Sequence, residues 1–76
     1  MQEYVINVNQ IEDLQTTKNV EELEKIFTRA KSTIVNGEKV FLVRKFNDGH
    51  SEKFDNLTTL EDLNHYRKRV FKYLIQ

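Results

Sequence analysis

Residues 40–43, Val-Phe-Leu-Val, form the longest purely apolar run in a chain of 76 residues that contains no proline and no cysteine. Four residues are far short of the ~20 that a membrane span needs, and they suit a strand better than a helix because three of the four are β-branched or aromatic. A strand here carries apolar side chains on both faces, with Phe41 and Val43 on one and Val40, Leu42 and Phe46 on the other. One face of such a strand is expected to meet the core. The other needs a cover that a chain this short does not readily supply, since folding hides only roughly 60–65% of the surface its unfolded form exposes. The expected candidates for that cover are an N-terminal arm at residues 4–8 or a second molecule.

The rest of the chain is expected to complete a single domain spanning residues 1–76, with an arm and connection over 1–18 and a helix, a meander and a second helix over 19–76. Between Asn19 and Ala30 the residues Val20, Leu23, Ile26, Phe27 and Ala30 recur at helical spacing and fill an arc of roughly 120°. Asn19, three residues before Glu22, supplies an N-cap, and Glu21 with Lys25 makes a favourable pair one turn apart on the wet face. From Ser32 to Val35 the composition turns to Thr33, Ile34 and Val35, which favour a strand. Asn36-Gly37 then offers a type I′ hairpin turn. Alternatively the helix continues to Val35 with Gly37 as its C-cap, because Ile34 also falls on the apolar stripe. The β-branched composition favours the strand.

Glu38–Phe46 reads as the clearest strand, and Asp48-Gly49 as a two-residue turn into a third strand at residues 50–55. That register sets Lys45 opposite Glu52, Val43 opposite Phe54 and Arg44 opposite Lys53. It predicts a core face of Ile34, Phe41, Val43 and Phe54. Thr58 with Glu61 predicts a capping box ahead of a helix running to about Leu74. The apolar arc of this helix holds Leu60, Leu63, Tyr66, Val70, Phe71, Tyr73 and Leu74. Tyr4–Val8 is expected to add an edge strand or an extended arm, and residues 9–18 an irregular connection with one helical turn at 11–14. The expected fold is α+β, a three-stranded antiparallel meander flanked by two helices in the order (β)-α-β-β-β-α.

Twelve basic and twelve acidic side chains give a net charge of zero, which argues against partners chosen by bulk electrostatics. Residues 1–36 hold four basic and six acidic groups and residues 37–76 hold eight and six. An excess of two in either direction does not name a polyanion as partner. Arg67 is the one charge inside the apolar arc of the last helix, where a snorkelling stem with its head on an acidic neighbour is expected. The alternative for Arg67 is an anchor for a carboxylate or phosphate. Arg44, Lys53, Lys68, Arg69 and Lys72 are the groups a nucleic-acid surface would use, although Lys68, Arg69 and Lys72 read first as the solvated flank of a helix whose dipole favours cations at its end.

The α-β-β-β-α order is also that of double-stranded-RNA-binding domains, whose second helix starts with phosphate-gripping lysines. Here that start is Thr59-Leu60-Glu61-Asp62, which repels phosphate, so no family is assigned. His50 beside Asp48 and His65 one turn after Glu61 are pairs, short of the three or more convergent ligands that hold a metal. No nucleophile motif or phosphate loop is present, so neither a cofactor nor enzymatic activity is expected. Asn56-Leu57-Thr58 matches a glycosylation sequon but reads as the lead-in to a capped helix. Met1-Gln2-Glu3-Tyr4 lacks the basic stretch of a signal peptide, and the chain has no cysteine, so a reducing cytoplasm is the expected home. The expected function is a binding or assembly module acting on a protein partner or a second copy through Val40, Leu42 and Phe46. A weak nucleic-acid binder is the alternative.

Overall fold

A computed structural model describes residues 3–74. Strand β1 (Tyr4–Asn7) leads directly into helix α1 (Val8–Thr16), followed by α2 (Val20–Val35), strands β2 (Val40–Lys45) and β3 (Ser51–Leu57), and α3 (Leu60–Lys72). The sheet order is β1-β2-β3, with β1 parallel to β2 and β3 antiparallel to it. The fold is thus α+β with a mixed three-stranded sheet and three helices. Among the described residues, no helix is long and apolar enough to cross a membrane.

The expected strand at residues 32–35 is instead the last turn of α2. Two bonds close that turn: Gly37 N–H donates to Ile34 O at 2.9 Å and Glu38 N–H to Thr33 O at 3.0 Å. This is the Schellman arrangement, which needs a left-handed residue after the cap, and Gly37 supplies it at φ +84°. The β-branched run tolerates the helix because the Thr33 hydroxyl donates to Arg29 O at 2.9 Å and Ile34 is buried on the stripe. A Cβ built on Gly37 meets nothing within 4 Å, so Gly37→Ala tests the backbone alone. We expect it to lower the melting temperature by about 4–8 °C, the equivalent of about 1 kcal/mol of left-handed strain. Scanning calorimetry checks this, and an unchanged transition would contradict the cap.

With residues 32–35 in a helix, the place beside β2 falls to the N-terminal segment. Tyr4 pairs with Val40 and Ile6 with Leu42, so the expected arm is a true edge strand, and it runs parallel. Parallel neighbours need a long crossover, which α1 and α2 provide. Residues 9–18 are therefore mostly helical rather than irregular. Asn7 caps α1 by accepting from Asn9 N–H at 2.9 Å, and Lys18 at φ +55° turns the chain into α2.

The β2–β3 hairpin also departs from the expected register. The loop is three residues long, closed by Phe46 N–H to His50 O at 2.9 Å and Gly49 N–H to Phe46 O at 3.1 Å. Gly49 takes φ +92°, as the left-handed position after a type I turn requires. One extra loop residue slides the pairing by one, so Lys45 faces Ser51, Arg44 faces Glu52 and Val43 faces Lys53. The repulsive Arg44–Lys53 opposition does not arise. A bulge between Leu42 and Val43 leaves Phe54 without a partner and restores Leu42 opposite Asp55 and Val40 opposite Leu57.

The core face is the opposite of the expected one. Val40 and Leu42 are 0% and 1% exposed and join Ile6 and Leu57 in one cluster with Val8 and Ile11 of α1, Leu23, Phe27, Ala30 and Ile34 of α2, and Leu63, Tyr66 and Val70 of α3. All three helices thus cover the even-numbered side of β2. Phe27 anchors the seam between α2 and α3, its ring centroid 5.8 Å from those of both Tyr66 and Phe71. The α3 cap lies one residue later than expected, with the Thr59 hydroxyl accepting from Asp62 N–H at 3.1 Å. Glu61 and Asp62 occupy its first turn and Arg69 and Lys72 its last, as the helix dipole prefers.

Candidate functional site

Two surfaces are built well enough to bind something. The first is the side of the sheet turned away from the helices. Half-buried Phe41 points there beside exposed Val5 on β1, with Val43, only 7% exposed, on the same side; none of the three belongs to the main core cluster. Lys53 reaches across this face from β3: its Nζ lies 4.2 Å from the Phe41 ring centroid and 3.8 Å from a carboxylate oxygen of Glu3. The residues expected to form the contact face lie elsewhere. Val40 and Leu42 are interior, and Phe46 stacks on the His50 ring at 4.6 Å in the hairpin loop. The cause is the inverted sidedness of β2, since helices rather than solvent meet its even-numbered side chains.

The second surface is a cleft of about 330 Å³ between α1, the β2–β3 sheet and α3. Its floor is polar on one side. Arg44 grips Glu12 with both terminal nitrogens, at 3.2 and 3.1 Å, and that bond holds the guanidinium above its ordinary pKa, first through the hydrogen bond and then through charge. Beside this pair stands Tyr66, 8% exposed, lining the cleft. Burial, the largest cause, pushes its pKa up to about 12; Arg69 works against that, Glu12 adds to it and Arg44 opposes it. Arg69 lies 5.8 Å from the Tyr66 ring centroid and makes no ion pair among the described residues. Phe54 and Tyr73 form the apolar walls, 56% and 66% exposed.

Of the six basic groups singled out in the sequence, only Arg44 and Arg69 come together, in this cleft. Lys53 lies on the bare sheet face, and Lys68 lies beside Glu61, Asn64 and His65 on the outer side of α3. Lys72 is exposed at the end of that helix. Arg67 pairs with Glu24 of α2 and lies 4.5 Å from the Phe71 ring centroid, so its stem packs and its head meets an acidic neighbour. Spread over several surfaces, these cations do not make one phosphate-tracking stripe. His50 pairs with Asp48, and His65 with Glu61 at 3.8 Å. No group of three or more metal-binding side chains exists among the described residues.

Sequence reasoning did not mark Glu12, Phe54, Tyr66 or Tyr73 as site residues. Tyr66, Arg69 and Tyr73 stand at i, i+3 and i+7 on α3, a spacing that places them on one helix face. That was the available signal. Comparison of the chain with protein-family models, with curated proteins and with solved structures gives no match.

Proposed function

We propose that the chain is a non-enzymatic assembly module that pairs with a second copy of itself through the bare side of its sheet. The observation that carries this proposal is exposed Val5 beside half-buried Phe41 on a sheet face outside the main core cluster, over a buried Val43. The Cα atoms span 34 × 31 × 17 Å, a two-layer slab whose broad side is large enough for the roughly 800 Å² per partner of a standard interface. The polar groups on that side are compatible with a two-fold contact. Glu3, just before β1, and Lys53 of β3 reach toward each other across the sheet, and both are more than half exposed. An exposed pair of this kind is worth little, so exchanging it for the same pair across a two-fold axis costs little. Lacking cysteine, the chain suits a reducing cytoplasm.

Sedimentation equilibrium tests the proposal. The protein is expected to dimerise with a Kd of about 10 µM, a modest affinity for a contact of this area. Phe41→Glu is expected to be monomeric with an unchanged far-ultraviolet spectrum, because Phe41 lies outside the core. A wild-type chain that stays monomeric up to about 200 µM would overturn it.

A further inference from the structure

We infer that the cleft between α1, β3 and α3 binds a small planar aromatic molecule that carries a carboxylate or phosphate. This surface lies on the helix side of the sheet, so it stands or falls separately from self-association. Tyr66 is the first indication: a side chain only 8% exposed overall that lines an open cleft, where its hydroxyl can meet a ligand. Arg69 is the second. Arg44 spends its fork on Glu12, which neutralises it and holds it still, and Arg69 is left as the cation available to an incoming anion.

The walls supply the aromatic half of the recognition. Phe54 sits on the cleft because the bulge opposite Leu42 and Val43 removes it from the ladder, and bulges are a recurrent way of re-aiming a side chain beside a site. With Tyr73 it gives two largely exposed rings on which a flat ligand can stack. A volume of about 330 Å³ stands at the lower end of the ligand-pocket range of roughly 300–1,000 Å³, with room for one or two fused rings and an anionic group but not for a polymer strand. Asp55 on the β3 lip repels additional negative charge, so a mononucleotide or an aryl carboxylate fits and a polyphosphate does not.

Nitrogen-15 correlation spectra of the folded chain, titrated separately with adenosine monophosphate, 2-naphthoate, adenosine and inorganic phosphate, test the inference. Adenosine monophosphate or 2-naphthoate is expected to shift the amides of Phe54, Tyr66 and Arg69, binding at least about tenfold more tightly than adenosine or phosphate alone, since each of those keeps half of the chemistry. The tighter of the two aryl anions identifies the source as nucleotide or aryl acid. Arg69→Gln is expected to weaken binding about tenfold and Asp55→Asn to strengthen it about threefold, both at exposed positions where the fold is retained. Tyr66→Phe should weaken binding several-fold while the melting temperature holds. The inference is overturned if neither aryl anion at about 10 mM moves these amides, or if Arg69→Gln and Asp55→Asn leave the affinity unchanged.

Discussion

Leu42→Ala is expected to remove about 3 kcal/mol of stability. A domain of this length holds only about 4–11 kcal/mol in total, so the loss takes between about a quarter and three quarters of it. Leu42 earns that prediction by position: it is fully enclosed on the central strand, flanked by Ile6 on one side and Asp55 on the other, beneath all three helices. Phe41→Ala, one residue away and on the bare face, deletes a larger side chain yet should cost only about 1 kcal/mol in the monomer. Urea unfolding at low protein concentration measures both, with unchanged slopes licensing the comparison. A larger loss for Phe41→Ala than for Leu42→Ala would show that the helices lie on the other side of the sheet.

Alkaline titration should expose Tyr66. Its pKa stands at about 12 in the folded chain against 10.0 for an ordinary tyrosine. At pH values below 10 the phenol is protonated in both states and its contribution to stability is complete. As the pH rises further, the unfolded chain releases the proton while the folded chain keeps it, and stability falls until the folded group also ionises. The expected loss is about 2–3 kcal/mol by pH 12. Tyr66→Phe should remove this part of the slope and leave the background from lysine deprotonation. Tyrosinate absorbance should likewise show a late step that Tyr66→Phe abolishes; burial raises the Tyr4 pKa too, against the pull of Arg29, so the variant is needed to assign that step. An identical pH dependence in the two proteins would refute the assignment.

Helices α2 and α3 were the most legible part of the fold, whereas α1 was read as an irregular connection. The apolar stripe of α2 and its cap, with Asn19 Oδ1 accepting from Glu22 N–H at 3.2 Å, follow from spacing and side-chain chemistry within one or two turns. What failed were features decided by distant residues. Asn36-Gly37 serves a type I′ hairpin and a Schellman cap equally well, and the choice rests on Ile34 finding a buried place against other elements. Parallel pairing of β1 with β2 leaves no local mark, because its two partners are separated by both helices of the crossover. The hairpin error has a smaller cause: reading a two-residue turn where the loop has three residues shifted the pairs between the loop and the bulge, Lys45, Arg44 and Val43, by one. Because Phe54 and Ile34 had been assigned to the odd-numbered side of β2, the core was placed on the wrong face.

The same division holds for the cleft. Tyr66, Arg69 and Tyr73 share a helix face that a wheel displays, whereas the fork between Arg44 and Glu12 joins residues 32 apart in the chain. A one-dimensional pattern can propose the helix side of the site. The strand side needs the register, the bulge and the position of α1.

The parallel edge strand bears on the order in which the molecule assembles. Tyr4–Asn7 leaves the ribosome ahead of the rest of the sheet, yet its neighbour at Val40–Val43 is synthesised more than thirty residues later, so this strand must wait unpaired while α2 and then the hairpin take shape. Closing that distant contact is slow compared with local turns. The amino-terminal segment is therefore the last to dock and the first to fray, and hydrogen exchange should be fastest there among the sheet amides.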